Sequence, residues 1–311
     1  MTHKLYMSMY AFQVKQNYRP HSETKTMNDF LSHAYPDEKG SKFGCFVKDI
    51  VELIEEKIFK NASNTHGGVL EEKAFSTHKR TLDLMINGGT TGIKHYLISE
   101  DGKKRETSDT DIVGLKFFVR IWLPANSKVG FVFMQTYNSL GIRPLIDSII
   151  ETVLRNYNHK FAGSGMVKAT TKKRQKEFLK NSHIKDIIVI SNSEMHGTGV
   201  GKLTTVEIKI KNVLWGANKE IDLDDISSEL EPHGFKIDDR KYIIKGRLQK
   251  EGPSKSEEKT VYLDQNQDSI NVIPNVQLPG DCQDVYMHPL FDKIREWVDV
   301  EMAQLQKEAR K

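Results

Sequence analysis

The chain has 311 residues, 38% of them hydrophobic and 28% charged, with a formal net charge of +4. That profile excludes a peptide toxin, a collagen-like chain and a disordered tail. Two cysteines, Cys45 and Cys282, are too few for a disulfide framework and lack metal-ligand spacing, so the predicted setting is a reducing cytoplasm.

The start, MTHKLYMSMYAFQV, alternates in polarity where a secretory leader has a continuous apolar block, and no run reaches the roughly 18 apolar residues of a membrane span. Residues 4–15 therefore read as a strand, with Tyr6, Tyr10, Phe12 and Val14 on one face and Met7, Met9 and Ala11 on the other. A helix over about 44–60 carries Phe46, Val47, Ile50, Val51, Ile54 and Ile58 at spacings of three and four. Strands at 80–87 and 93–99 flank Asn87-Gly88-Gly89-Thr90-Thr91-Gly92, which reads as a hairpin connection. A second pair, 113–123 and 129–136, is apolar enough to be central in a sheet. Pro144 opens a helix to Tyr157 that places Leu145, Ile146, Ile149, Ile150 and Val153 on one side.

The segment AGSGM, 162–166, gives the strongest linker signal. Beyond it come a basic helix at about 171–181, the apolar strand Ile187-Ile188-Val189-Ile190, and strands at 203–213, 241–248 and 259–263. From His288-Pro289 onward a long amphipathic helix carries Leu290, Ile294, Trp297, Val298, Met302 and Leu305. These patterns predict an α+β fold: an N-terminal antiparallel sheet with packed helices over 1–162, then a smaller mixed α/β domain over 167–311, closed by the C-terminal helix. That helix folds back on the second domain, or packs on a second copy or a partner protein.

Charge is unevenly distributed. Arg155, Lys160, Lys168, Lys172, Lys173, Arg174, Lys176, Lys180 and Lys185 face one acid, Glu177, whereas the segment 220–239 is strongly acidic. On a helix, Lys172, Lys173, Lys176 and Lys180 fall within about a quarter of the circumference, with Phe178 pointing away. Such a stripe needs an opposite charge, either a polyanion whose phosphates release counterions on binding or the chain's own acidic segment.

Several strings resemble chemical motifs. His196-Gly197-Thr198-Gly199-Val200-Gly201-Lys202-Leu203-Thr204 misses the spacing of a phosphate-binding loop by one residue. It also runs into a strand where that loop needs a helix, so it reads as a hairpin. Val206-Glu207-Ile208-Lys209-Ile210 places an acid and a lysine two apart on a strand, the arrangement of restriction-type nucleases, with Glu194 or Asp186 as the second carboxylate. Alternating charge is also what a solvent-facing strand looks like. Phe131 and Phe133 share a strand face, as base-stacking aromatics would, though so apolar a strand is more often buried. Arg155 and His159 share a helix face, a pair that would serve charge stabilisation and proton transfer. The eleven histidines show no zinc spacing, and no resident cofactor is predicted.

The leading expectation is a cytoplasmic nucleic-acid-associated protein. Its residues Arg155, Lys160, Lys168, Lys172, Lys173, Arg174, Lys176 and Lys180 hold the phosphate backbone of DNA or RNA without reading bases, in antiviral defence or nucleic-acid processing. The alternatives are a magnesium-dependent nuclease using Glu207, Lys209 and Glu194, and a non-catalytic protein-interaction subunit.

Overall fold

The computed structural model describes residues 4–16, 25–55, 57–91, 96–108, 111–138, 140–156, 161–163, 165–180, 182–194, 203–211, 227–228, 230–235, 242–250, 257–263, 273–274 and 276–308. The chain divides into two compact units, one formed by Met1–Ala169 with Asn275–Lys311 and the other by Thr170–Pro274. Both combine antiparallel sheet with helix, an α+β fold.

In the first unit, strand β1 (Leu5–Gln16) buries Tyr10, Phe12 and Val14 on one face and Leu5 and Met7 on the other. A strand buried on both faces needs a layer above and a layer below. Its sheet has nine strands, all antiparallel. The main path joins β10 (Val167–Ala169), β1, β8 (Val129–Tyr137), β7 (Val113–Trp122), β4 (Thr81–Thr90), β3 (His66–Ser76) and β2 (Phe59–Lys60) in that order. Two short strands, β9 (Phe161–Gly163) and β15 (Val276–Gln277), complete the outer edge of β1. A separate hairpin, β5 (Tyr96–Ile98) with β6 (Lys104–Glu106), stands between β4 and β7 in the chain.

One layer consists of α1 (Met27–Ala34), α2 (Lys42–Ile54) and α3 (Arg143–Asn156). Thr26 caps α1 by accepting the Asp29 amide at 3.1 Å, while the Asp29 carboxylate reaches back to Thr26. The apolar stripe of α2 is buried through Phe43, Phe46, Val47, Ile50, Val51 and Ile54, with Phe46 edge-on to Phe30 at 6.2 Å. The guanidinium of Arg143 lies 4.9 Å over the Tyr10 ring, which puts α3 on the Tyr10 face of the sheet.

The other layer is the terminal helix α5 (Phe291–Glu308), whose buried stripe is Ile294, Val298 and Met302. Phe291 packs 5.7 Å from Phe118. In register, Asp83, Arg120, Phe133 and Met9 stand opposite one another across four strands, on the face away from Tyr10. Here the structure corrects the expectation that the terminal helix closes the second domain or meets another chain. Its apolar stripe is occupied by the first unit's own sheet, because that sheet has two apolar faces to cover.

Strand pairing also relocates the domain boundary. The AGSGM segment begins within β9 and runs towards β10, both paired with β1, so it is inside the first unit. The chain leaves after Ala169, opposite Met9, and returns at Val276, opposite Met7. Those exits lie about 7 Å apart along β1, close enough for the second unit to be an insertion. Nor do Gly88 and Gly89 form a turn. Both are extended residues of β4, which pairs with β3 and β7 instead of with 93–99.

The second unit has a four-stranded antiparallel sheet, ordered β12 (Leu203–Lys211), β11 (Ser182–Glu194), β13 (Tyr242–Lys250) and β14 (Glu257–Leu263). Helix α4 (Lys172–Lys180) packs on β11. Phe178, Leu179, Ile187, Val189, Leu230 and Leu248 are buried there. A strand does follow the glycine-rich string, with Leu203 paired to Glu194, while residues 195–202 lie outside the described residues. Among the described residues, no helix is long and apolar enough to cross a membrane.

Candidate functional site

Helix α4 begins where the Thr171 hydroxyl accepts the Arg174 amide at 3.1 Å, satisfying a first-turn donor that has no partner within the helix. Phe178 and Leu179 anchor its inner side, and the Ser182 hydroxyl donates to the Phe178 carbonyl at 2.6 Å. This anchoring turns Lys172, Lys173, Lys176 and Lys180 outward, and all four are exposed. Arg174 is half-buried. Glu177 lies 3.8 Å from both Lys173 and Arg174, the charge-pair spacing of an exposed helix. Four ammonium groups over nine residues span about 12 Å, the reach of a few successive phosphates on a nucleic-acid strand.

The remaining basic candidates are placed differently. Arg155 and Lys168 belong to the first unit. Arg155 is ion-paired with Glu151 one turn back on α3, and Lys168 is exposed on β10 opposite Tyr10. Lys160 and His159 lie outside the described residues. Lys185 pairs with Glu258 at 2.5 Å, and this contact holds the Glu258 carboxyl below the usual carboxylate range. Most of the acidic segment 220–239 is outside the described residues as well.

The carboxylate and lysine of the nuclease alternative are only partly brought together. Lys209 sits opposite Ile188, and its Nζ lies 3.3 Å from the carboxylate of Asp186. Asp186 is 3% exposed and also has Arg247 Nε at 3.1 Å. Two cations thus neutralise one buried acid, a structural pairing that leaves Lys209 engaged. Glu207 stands opposite Ile190, four residues from Glu194 on the same strand, a separation of roughly 13 Å. That distance is too long for two ligands of one ion. Among the described residues, no group of three His, Cys, Asp or Glu side chains converges as metal ligands. The base-stacking expectation also ends in the core. Phe133 is buried, and Phe131 is stacked on Trp122 at 5.2 Å.

One cluster is absent from the sequence reading. Arg120, 2% exposed, is ion-paired with the buried Asp83 of β4 and with Asp299 of α5, and it donates to the Met302 sulfur at 3.3 Å. Arg295 Nε reaches Asp83 at 3.0 Å, and Lys79 reaches Asp299 at 2.7 Å. The available signal was a single acid in LDLMI and a single base in FFVRIW, charges inside otherwise apolar strands. The cluster fixes where α5 docks. Burial alone would raise the pKa of Asp299, but Lys79 and Arg120 hold it below the usual value.

A depressed native pKa makes this contribution complete above about pH 4 and lost as pH falls through the native value. Urea midpoints measured from pH 7 to pH 2 should therefore fall less steeply on acidification in Asp299→Asn than in the parent chain. Parallel curves would deny Asp299 that role.

Comparison with protein-family models, curated proteins and solved structures gave no match.

Proposed function

We propose that this protein binds the phosphate backbone of DNA or RNA through α4, in the cytoplasm, without sequence readout, in a process such as antiviral defence or nucleic-acid processing. The supporting observation is the outward display of Lys172, Lys173, Lys176 and Lys180 from a helix whose other side is anchored in the core. An ammonium row carried on a rigid element supplies electrostatic affinity and orientation. It offers none of the planar hydrogen-bonding groups that discriminate base edges. Arg155 and Lys168, in the first unit, and Lys160 are secondary contributors.

Retention of the full chain on immobilised DNA and RNA over a salt series tests the reading. Each phosphate contact adds about 0.9 to the slope of log affinity against log salt on duplex DNA. Reversing Lys172, Lys173 and Lys176 to Glu should therefore flatten that slope by roughly three and weaken binding uniformly across sequences. Unchanged retention would remove α4 from the function, and no retention at low salt would leave the protein-interaction reading in its place. Adding magnesium to the same samples tests cleavage by Glu207, Lys209 and Glu194. With Lys209 held by Asp186, intact nucleic acid is the expected result.

A further inference from the structure

The hairpin of β7 and β8 opens into a fork. Its ladder runs from Trp122 opposite Phe131 to Val119 opposite Met134 and stops there, although β7 continues along β4 back to Val113 and β8 continues along β1 to Tyr137. The Gln135 side chain ends the ladder, because its Oε1 accepts the Phe118 amide at 3.3 Å in place of a backbone carbonyl. Beyond that point the edge of β8 is closed by its own turn, in which the Tyr137 and Leu140 amides donate to each other's carbonyls at 3.0 and 2.8 Å. The rings of Phe117 and Tyr137 meet edge-on at 5.5 Å at the base of the fork.

The β7 prong has no such cover. Backbone groups alternate in direction along a strand, so the N–H and C=O of Lys116 and Gly114 point the same way as the Phe118 amide, away from β4. Among the described residues, none of these groups has a backbone partner on that side. Gly114 is exposed, and Val113 and Leu115, 42% and 37% exposed, set apolar side chains beside the open edge. Lys116 is turned to the other face, where Glu71 holds its ammonium at 2.7 Å. Keeping the fork open has a cost, since Gln135 is buried and its Nε2 lacks an acceptor among the described residues.

Another open edge of the same sheet shows the contrast. Beyond its short pairing with β2, β3 has a bulge between Leu70 and Glu72 and exposes Glu71, Glu72 and Lys73, features that discourage strand addition. The β7 edge is unbulged from Val113 to Phe117, and its one charge is already neutralised by Glu71. Donor and acceptor pairs repeating about every 7 Å along that edge complement the backbone of another extended chain. Length decides which chain. Five residues of edge, Val113–Phe117, bury far less than the roughly 1,600 Å² of a standard interface, so a stable dimer is not built on them, whereas a short linear segment is. With Val113 and Leu115 on one face, that segment carries apolar side chains at alternate positions. We infer that the open edge of β7 over Val113–Lys116 receives an extended, alternately apolar segment of a partner protein as an added strand.

Hydrogen exchange of the full chain, read at single amides, tests this with a library of acetylated, amidated hexapeptides carrying Val, Ile or Leu at alternate positions. In the free chain the Gly114 and Lys116 amides should exchange faster than those of Leu115 and Phe117, which face β4. Library members should bind with a Kd of about 10–100 μM and slow the Gly114 and Lys116 amides by roughly tenfold or more. N-methylation along the bonding edge of the peptide should abolish both effects. Leu115→Asp should weaken binding by about tenfold or more without shifting the melting curve. Lys116→Pro removes one open donor while leaving the β4 ladder intact, and it should abolish binding. A library without binders, or binding that leaves the two amides unprotected, overturns the inference. So does protection that appears on concentrating the free chain, which would make a second copy the occupant.

Discussion

Arg120→Met should destabilise the protein by about 3–5 kcal/mol, because it removes the main countercharge from a carboxylate that folding has taken out of water. Asp83 is 1% exposed, and its remaining partner, Arg295, is a side chain 36% exposed that also pairs with Asp292. A buried carboxylate left to such a partner either protonates or draws water into the contact between β4 and α5, and both routes cost stability. Against a total of about 5–15 kcal/mol for a native domain, the loss is large. Urea unfolding followed by circular dichroism should show a lower midpoint, and proteolysis should reach α5 sooner. The double variant Arg120→Met with Asp83→Leu should regain most of the loss, since an apolar pair of similar volume fills the site without a buried charge. A single variant within about 1 kcal/mol of the parent chain would show that the cluster does not hold α5 in place.

Gly89→Ala should be nearly as damaging, by about 3 kcal/mol, at the upper end of overpacking costs. A Cβ at this position would stand 2.1 Å from the carbonyl oxygen of Val113, an atom of the paired strand's backbone. No rotamer change relieves such a contact. β4 and β7 would have to separate where Gly89 pairs with Gly114, in the middle of the sheet path. Gly40 provides the control, because nothing lies within 4 Å of its added Cβ. Gly40→Ala should be neutral or slightly stabilising. Equal melting temperatures for the two variants would contradict the close strand approach.

The contrast between these glycines explains why the sequence misled at Asn87–Gly92. Glycine permits positive φ, and a run of glycines between apolar segments is the ordinary sign of a tight connection. It also permits the closest approach of two backbones, and that second use is visible only once the neighbouring strand is known. Among the described residues, positive-φ glycines occur at Gly102, Gly165 and Gly234, none of them in this run. The candidate site was legible to a similar extent. The lysine stripe of α4 follows from helical spacing and is outward in the structure. The partner of Lys209 was not legible, because Asp186, Glu194 and Glu207 are equally plausible from composition. Register alone places Asp186 within reach and Glu194 far along the strand.

Periodicity is a local property, and it set the buried faces of β1, α2, α3 and α5 together with the α+β class. Each of those faces needs only the chain within a few residues of itself, since a helix repeats every 3.6 residues and a strand every two. Which face covers which was decided by tertiary structure. The stripe of Ile294, Val298 and Met302 is compatible with either sheet or with another chain. It docks on β4 and β7 because Asp83 and Arg120, more than 160 residues earlier, lie buried there and need Asp299 and Arg295 to complete their ion pairs. A choice between partners distant in sequence is an energetic comparison across the whole fold, and no window along the chain contains both sides of it.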